Sequence, residues 1–275
     1  MTAELRGVQA DVEQVPAWYH SIELAPGIVS PGYFDLRPIV AELPWPDVRG
    51  KRCLDVGTYD GFYAFELERR GAAEVIAVDV ADPHDWDWPP DAREEGPERA
   101  ERFTRGERTR GFEVARRALG SAVERRSMTI YELSPETVGS FDVVVCGSLL
   151  LHLRDPLRGL EAIRTVCRES FLSVEEIRLS LSPPFGRGPV AELDGSGEQL
   201  QWWVPSVSGH RRMLLSAGFS VGPTAGPFAV RYGPSHPTAS VTPSGWRWLR
   251  TRLLQRALAG APGVPHAAIL ATPRA

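Results

Sequence analysis

The chain has 275 residues, a formal net charge of -4, and hydrophobic and charged fractions of 43% and 24%. These fractions are typical of an ordinary globular protein and exclude a disordered or fibrous chain. The small net charge supplies no global basic field that would recruit nucleic acid, although a local basic face stays open. The length suits one large α/β domain or a domain with an insertion.

The three cysteines, Cys53, Cys146 and Cys167, lie in or beside apolar segments. An odd number of cysteines at such positions predicts reduced thiols in a cytoplasmic protein. The sequence has no basic and apolar signal segment, no apolar run of membrane-spanning length and no zinc-type spacing. We therefore expect neither a membrane nor a metal among its partners.

Residues 1–46 form the first predicted region, an aromatic cap or lid segment. Its polar start predicts a helix or a frayed arm, and Trp18, Tyr19 and His20 then precede apolar residues and two Pro-Gly turns. Two interpretations stay open. The segment is either a cap over the hydrophobic edge of a sheet, or a lid over a cofactor with Tyr19 and His20 pointing inward.

Residues 51–80 read KRCLDVGTYDGFYAFELERRGAAEVIAVDV and predict one βαβ unit. A buried strand from Cys53 to Val56 is followed by a glycine-bearing turn and a helix that stops at Gly71. A second buried strand then ends at Asp79. This arrangement is half of a nucleotide-binding sheet.

The turn in this unit indicates which nucleotide it suits. A dinucleotide fingerprint needs a glycine two residues after Gly57, where this chain has Tyr59. A bulky ring there argues against a diphosphate and favours a nucleoside without one. Gly57 supplies a conformation that a Cβ would resist, Gly61 allows close packing of helix on strand, and Asp60 is the expected N-cap.

Two acidic residues indicate the other groups that the ligand carries. Asp79 closes the second strand, where a carboxylate can accept hydrogen bonds from both ribose hydroxyls. Asp55 places a carboxylate at the mouth of the first strand, where a cationic amine could sit. The predicted ligand has an adenosine-like end and a cationic amino-acid end.

At this point the residues resemble the class I S-adenosylmethionine-dependent methyltransferases. Their motif, acid-x-Gly-x-Gly-x-Gly and then an acid closing the second strand, is matched by Asp55, Gly57, Gly61 and Asp79. Tyr59 departs from the middle glycine. The resemblance implies S-adenosyl-L-methionine as cofactor and S-adenosyl-L-homocysteine as product.

The N-terminal segment WYHSIEL, followed by PGIVSPG, is similar to methyltransferases related to the tRNA wobble-uridine (5-carboxymethoxyuridine-forming) enzymes. That resemblance runs from Trp18 to about Phe219. It implies an α/β domain over residues 47–275, with a doubly wound, Rossmann-like sheet of seven mostly parallel strands and an antiparallel last strand.

The implied cofactor-binding residues lie in the glycine turn and at strand ends. The third strand is predicted to lead to Tyr131 and Glu132, one of which would contact the adenine ring. The full set is Asp55, Gly57, Thr58, Tyr59, Gly61, Asp79, Val80, Tyr131, Glu132 and Gly147.

The region from 82 to 117 is rich in charge. Asp82, Asp85 and Asp87 alternate with tryptophans, which favours a solvated loop with an aromatic anchor over a metal site. From 91 to 117 the chain alternates Glu and Arg at helical spacings, as expected for an exposed helix. A basic face on that helix is the alternative.

The stretch FDVVVCGSLLLHLRDP predicts a central strand over 141–146, buried on both faces. Its carboxyl end, 147–152, should lie at the ligand crevice, since parallel sheets bind ligands there. The wobble-uridine enzymes with a carboxylated cofactor have a Tyr-His pair where this chain has Leu151 and His152. The resemblance therefore implies plain S-adenosylmethionine.

The remaining elements follow in order. A helix over 157–166 and a fifth strand over 171–174 precede a Pro/Gly-rich insertion at about 182–200. Trp202 and Trp203 then lead to a helix ending at Gly218. The sixth strand, an arginine-rich amphipathic helix over 245–260 and a closing strand complete the chain.

Methyl transfer from a sulfonium requires mainly that donor and acceptor are held in line in a dry site, so no triad or metal is expected. If the acceptor is a hydroxyl or amine, His152 and His20 are candidate general bases. Alternatively, His152 only fixes its loop through a backbone hydrogen bond, and His20 only orients the lid. The candidate substrate-binding residues are Trp18, Tyr19, Trp202 and Trp203, and packing on the sheet edge is the alternative for the last two.

We therefore expect a methyltransferase acting on a small molecule of the secondary-metabolite type. The alternatives are a tRNA wobble-nucleoside methyltransferase and a non-catalytic cofactor-binding module. Tyr59 disfavours an NAD-dependent oxidoreductase. The acceptor, the methylated atom and the oligomeric state are left open by the sequence.

Overall fold

The computed structural model of the chain describes residues 2–90, 108–195, 200–237, 253, 255–257 and 259–274. Most of the predicted charged segment at 91–117 and much of the predicted helix at 245–260 lie outside these ranges, as does 196–199 of the insertion.

Polar side chains begin several of the helices. Thr2 caps the first helix, and Asp155 caps another in which proline occupies the first position. Ser206 caps a third by accepting a hydrogen bond from the Gly209 amide. The helices are α1 (Ala3–Glu13), α2 (Phe62–Arg69), α3 (Arg108–Leu119), α4 (Pro156–Val166) and α5 (Val207–Ser216).

The strands alternate with these helices after an N-terminal group of four short strands. They are β1 (Trp18–His20), β2 (Glu23–Ala25), β3 (Ile28–Val29), β4 (Gly32–Asp35), β5 (Arg52–Val56), β6 (Glu74–Asp79), β7 (Glu124–Ser127), β8 (Phe141–Gly147), β9 (Cys167–Glu176), β10 (Ala191–Leu193), β11 (Trp203–Pro205), β12 (Phe219–Tyr232) and β13 (Val264–Pro273).

The main sheet has the order β1-β4-β12-β13-β9-β8-β5-β6-β7. The five strands from β9 to β7 pair in parallel, whereas β13 is antiparallel to both β9 and β12. The predicted doubly wound, mostly parallel sheet with an antiparallel last strand is confirmed. The chain order reverses at β5, which lies between β6 and β8, and such a switch point opens a crevice at the carboxyl ends of the strands.

The sheet has nine strands rather than seven because the N-terminal segment joins it. β4 pairs antiparallel with the end of β12, with Asp35 opposite Arg231, and β1 pairs in parallel with β4. This pairing covers backbone groups of β12 that would otherwise lie at an open edge. Since β12 runs parallel to β9, its carboxyl end, and with it the N-terminal segment, lies on the crevice side of the sheet.

The sheet is buried on both faces. One face of β5 and β8 packs with α2, α3 and the N-terminal segment, and the other packs with α4 and α5. Because alternate side chains of a strand point to opposite faces, both sets must be apolar. The continuous apolar runs of the predicted central strands follow from this double burial.

The predicted insertion contributes a small hairpin. β10 pairs antiparallel with β11, with Ala191 opposite Pro205. The fifth strand, β9, is longer than the predicted 171–174. The third strand, predicted over 123–131, is shorter and ends before a 3₁₀ turn over Ile130–Glu132.

None of the helices in the described ranges is long and apolar enough to cross a membrane.

Candidate active site

The turn after β5 takes a conformation that its glycines permit. Gly57, Tyr59 and Gly61 all have positive φ, at 80°, 48° and 94°. A Cβ on Gly61 would lie 2.3 Å from the Phe65 ring, so only glycine fits there. The amide of Gly57 donates to the Val78 carbonyl at 2.9 Å, which ties the turn to the end of β6.

Asp79 organises this turn. One carboxylate oxygen accepts a hydrogen bond from the Tyr59 amide at 2.6 Å, and the other accepts one from the Val80 amide at 2.7 Å. The carboxylate therefore stands at the end of β6, beside the turn that it shapes. The structure brings together the predicted residues Gly57, Tyr59, Asp79 and Val80.

Asp55 is a buried acid at the end of β5. Its side chain is 1% exposed, and neither oxygen makes a hydrogen bond of ordinary geometry to the described part of the chain. Burial raises the pKa of Asp55 to about 7, against the lowering effects of the neighbouring Thr58 hydroxyl and of His20. The Thr58 side chain is itself buried. A buried carboxylate of this kind suits a cationic ligand group.

Asp60 does not cap α2 as predicted. Gly61 occupies the N-cap position with φ 94°, and the fully buried Asp60 carboxylate turns instead to the N-terminal segment. It accepts hydrogen bonds from the amides of Tyr19 and His20 at 2.8 and 2.7 Å and also bonds Nδ1 of the His20 ring. The positive φ of Gly61 permits this direction, and the contacts fasten β1 to the glycine turn.

This attachment gathers aromatic rings over the turn. The Tyr19 ring centre lies 5.0 Å from that of Tyr59 and 5.2 Å from that of Phe34. His20 is buried and packs 5.3 Å from Phe62. Tyr19 and His20 thus point toward the cofactor turn, as the lid interpretation requires.

Trp18 is placed differently from its neighbours. It is 1% exposed, and its indole donates a hydrogen bond to the Val12 carbonyl at 3.2 Å. The ring packs beside Gly111 in α3. The predicted substrate contact of Trp18 is therefore replaced by a core-packing role, because its indole is fixed against α1 and α3.

Asp87 links three loops on the other side of the crevice. One of its oxygens accepts hydrogen bonds from the Tyr131 hydroxyl at 2.5 Å and from the Arg154 amide at 2.9 Å. The Trp202 indole donates to the Asp87 carbonyl at 2.6 Å, and the Trp203 indole donates to the Arg154 carbonyl at 3.2 Å. Both tryptophans are partly buried, so their N–H groups fix these loops to each other while parts of their rings stay accessible.

No group of three or more His, Cys, Asp or Glu side chains arranged to hold a metal ion occurs within the described ranges.

Tyr131 and Glu132 have separate roles. The Glu132 carboxylate accepts hydrogen bonds from the Thr129 amide at 2.7 Å and the Thr129 hydroxyl at 3.1 Å, which closes its own turn. Tyr131 instead reaches Asp87 in the loop after β6. Of the two candidates for an adenine contact, Tyr131 is the one directed at the cofactor side of the sheet.

His152 lies in the 3₁₀ turn Leu150–His152 that follows β8. Its Nδ1 lies 2.7 Å from the Leu200 carbonyl oxygen, and this partner assigns the ring proton to Nδ1. The hydrogen bond joins the loop after β8 to the insertion, which is the loop-fixing role considered for this residue.

Gly147 ends β8 beneath an aromatic ring. A Cβ on Gly147 would lie 2.3 Å from the Tyr63 ring, which excludes any larger residue. The next residue, Ser148, has φ 52° and bonds Nε2 of His266 at 2.9 Å. Nδ1 of His266 faces the Val264 carbonyl, and burial lowers the pKa of His266 to about 4. Sequence reasoning missed this pair, because β13 lies far from β8 in the chain.

Sequence reasoning also missed two acids at the end of β9. Burial raises the pKa of Glu175 to about 8 and that of Glu176 to about 7. A pair of glutamates directly after an apolar strand was an available signal, since carboxyl ends of parallel strands face the crevice.

Together these features describe a site for a nucleoside with a cationic tail. The glycine turn, the acid at the end of β6 and the buried acid at the end of β5 match the arrangement predicted for S-adenosylmethionine. The fold is that of a class I S-adenosylmethionine-dependent methyltransferase.

A family profile described as a methyltransferase domain matches residues 33–217, and the chain belongs to this family.

Part of the chain is similar to proteins named ubiquinone biosynthesis O-methyltransferases. The chain is 31% identical over 114 residues to one from Neisseria meningitidis, covering 40% of this chain and 37% of the relative. It is 32% identical over 119 residues to one from Hahella chejuensis, covering 43% and 40%. The chain thus spans less than half the length of these relatives.

Solved structures show the same fold at low identity. The [4+2]-cyclase SpnF has a TM-score of 0.53 and 16% identity, covering 98% of this chain and 93% of that one. The 1,6-didemethyltoxoflavin-N1-methyltransferase of Burkholderia thailandensis, with 1,6-didemethyltoxoflavin and S-adenosylhomocysteine bound, has a TM-score of 0.50 and 18% identity, covering 87% and 78%. One of the two is named a cyclase, so the fold by itself does not assign a reaction.

Proposed function

We propose that the protein transfers the methyl group of S-adenosylmethionine to a hydroxyl group of a small, aromatic or polyfunctional metabolite. The single observation that carries the proposal is the position of two acids at the ends of neighbouring strands: Asp55 on β5, whose buried oxygens have no hydrogen-bond partner in the described part of the chain, and Asp79 on β6. The names of the partial relatives, all O-methyltransferases, support a hydroxyl acceptor.

The donor side binds and orients. When bound, the cofactor supplies an electrophilic methyl group on a sulfonium. Asp79 would accept the ribose hydroxyls, Asp55 would neutralise the cationic end, and Tyr131 would border the adenine. Gly57, Thr58, Gly61 and Gly147 keep the backbone close to the ligand, and Tyr59 and Val80 complete the turn.

The acceptor side excludes water and shapes the pocket. The aromatic segment around Tyr19 and His20 covers the turn, while Trp202 and Trp203 stand behind the loop after β8. We assign residues 1–46 to this lid and residues 47–275 to the catalytic domain. Holding the reactants in line in a dry site supplies most of the rate enhancement that methyl transfer needs.

His152 and His20 remain candidates for a role in catalysis. Each has its Nδ1 engaged, His152 with Leu200 and His20 with Asp60, which favours positioning roles for both. The three buried free cysteines support a reducing, cytoplasmic location.

A tRNA wobble-uridine acceptor draws only on the resemblance of the N-terminal segment, and a net charge of -4 opposes it. The deciding experiment incubates the protein with S-adenosylmethionine labelled at the methyl group and with a cell extract separated into metabolites and RNA. We expect label in the metabolite fraction. Label in RNA, with binding that weakens steeply as salt rises, would support the tRNA alternative.

Cofactor binding is tested separately by calorimetry with S-adenosylmethionine. Failure to bind would overturn the proposed function. Binding without transfer to any fraction would support a non-catalytic module.

A further inference from the structure

The strand order shows where an acceptor would lie, given the proposed function. Asp79 ends β6 and Asp55 ends β5, and along the crevice the next strands are β8 and β9. A nucleoside held on the β6 side directs its other end past β5. The methyl acceptor then belongs above the ends of β8 and β9.

Glu176 is the acid that β9 presents to this place. It is the last residue of the strand, directly opposite His266 of β13, and Val174 is level with Gly147 of β8. Side chains at alternate positions share a face, so Glu176 points to the same side as Val174. Val174 belongs to the apolar cluster that also contains Trp18, Ile22 and Leu24 of the N-terminal segment, which places Glu176 on the lid side of the sheet.

The preceding residue, Glu175, points to the other face. It is 1% exposed and accepts a weak hydrogen bond from the Cys146 thiol at 3.9 Å. Burial raises its pKa to about 8, and the amides of Leu150 and Leu149 oppose this rise. Glu175 therefore lies beside the turn after β8, whereas Glu176 points to the lid side of the sheet.

Glu176 has little to neutralise it. The side-chain amide of Gln201 donates a hydrogen bond to its Oε2 at 3.2 Å. Arg178 follows two residues after the end of β9, but its guanidinium forms an ion pair with Glu192 of β10 at 2.8 Å. No ion pair to Glu176 is formed among the residues that the structure describes.

The surroundings set its proton affinity. Burial raises the pKa of Glu176 to about 7, with Arg178 and Gln201 lowering it and Glu192 adding to the rise. From β1, Tyr19 lies close to Glu176: burial raises the pKa of the Tyr19 hydroxyl, and the Glu176 charge is the next largest cause of the rise. Buried His266, across the ladder from Glu176, has a pKa lowered to about 4 and is neutral at pH 7. A general base works best with this near-neutral proton affinity.

We propose that Glu176 is the general base that accepts the proton of the acceptor hydroxyl. In this step the acceptor oxygen forms a bond to the methyl carbon, and the bond from that carbon to sulfur breaks. The bonding pair stays on sulfur, which becomes a neutral thioether. The hydroxyl proton moves to the Glu176 carboxylate and then to solvent.

The test uses Glu176→Gln, which keeps the size and the hydrogen-bonding capacity of the side chain but cannot take a proton. The matched control is Glu169→Gln, at the opposite end of the same strand, where Glu169 pairs with Lys51 at the surface. Calorimetry with S-adenosylmethionine comes first. We expect both variants to bind within about threefold of the unmodified protein, since the base acts on the acceptor.

The first readout needs no turnover. In protein labelled with ¹³C at the glutamate carboxyl carbons, the resonance lost in Glu176→Gln is followed as pH changes, with and without catechol as probe. We expect a midpoint near 7 that catechol shifts. A midpoint at the ordinary value of about 4.3 that catechol leaves unchanged would overturn the proposal, whichever acceptor the protein uses.

The second readout is methyl transfer to catechol across pH. We expect Glu176→Gln to lower kcat by about 100-fold or more and to abolish the fall in kcat/KM below neutral pH. Turnover within about threefold of normal with the same pH profile would overturn the proposal. If the unmodified protein does not bind S-adenosylmethionine, the proposed function fails, whereas the carboxyl titration still decides whether Glu176 is the near-neutral acid facing the probe.

Discussion

The two sides of the crevice are built in different ways. On the donor side, Asp79 bonds the amide of Tyr59, which is 20 residues away, and only Tyr131, Glu132 and Gly147 of the predicted cofactor residues lie outside 51–80. On the acceptor side, Asp60 bonds His20 across 40 residues, His152 reaches Leu200 across 48, and Trp202 reaches Asp87 across 115. The donor side is built mainly from one local motif, whereas the acceptor side is an assembly of distant segments.

This difference has a functional meaning. A local motif can be kept while distant segments change, so one cofactor site can serve many acceptors. Variants of the assembled side should therefore impair transfer more than cofactor binding, and variants of the local side should do the reverse.

Asp60→Ala should have the largest effect, because it detaches the lid from the turn. The change leaves three N–H groups of Tyr19 and His20 without their buried acceptor. We expect the free energy of unfolding to fall by about 3 kcal/mol and methyl transfer to be lost, with a smaller loss of cofactor affinity. Chemical denaturation measures the free energy of unfolding, calorimetry measures cofactor affinity, and a transfer assay measures activity. Equal loss of transfer and affinity would contradict a separate lid, and exposed Asp82→Ala is the control.

The next effect is the pH dependence of cofactor binding. The pKa of Asp55 is raised to about 7 by burial, so below that pH the acid is protonated and cannot neutralise a cation. Affinity for S-adenosylmethionine should fall as pH decreases through 7, by up to about tenfold per unit, and should level off above it. Calorimetry with Asp55→Asn should give weak binding without this dependence. If the affinity of the variant fell with pH as steeply as that of the unmodified protein, the pH dependence would belong to a group other than Asp55.

Asp79→Ala should weaken S-adenosylmethionine binding by about tenfold or more, because it removes the ribose acceptor and frees the Tyr59 amide. Calorimetry measures the change, and exposed Asp85→Ala serves as control. Unaltered binding would refute the ribose assignment.

His152→Ala should reduce turnover by a few-fold and leave cofactor affinity unchanged, since it releases the loop after β8 from Leu200. Steady-state kinetics with a methyl acceptor measure turnover, and calorimetry measures cofactor affinity. Unchanged turnover would remove His152 from the mechanism, and exposed His84→Ala is the control.

Trp203→Phe should have the smallest effect. It keeps a ring but removes the hydrogen bond to the Arg154 carbonyl, at a cost of about 1 kcal/mol in unfolding free energy. We expect KM for the acceptor to change by less than about threefold. Thermal denaturation and kinetics check this, and a large rise in KM would give Trp203 a direct substrate contact.

Much of the fold could be predicted from the sequence. The apolar runs predicted β5, β6 and β8 to within a residue or two, because strands buried on both faces must be continuously apolar. The extension of the sheet by β1 and β4 could not be predicted from the sequence, since short strands gain their stability from the sheet edge that they join. The N-cap predicted for Asp60 failed because the same side chain had a better partner in β1.

By itself, the sequence determined the donor side. The features of this side depend on residues that are close together in the sequence. They are the positive φ values of Gly57 and Gly61 and an acid at the end of each strand. Only the tertiary structure decided the acceptor side. Strand register turns Glu175 to one face and Glu176 to the other, and a slip of one residue would exchange them. Which acid faces the lid thus depends on pairing between segments far apart in the chain.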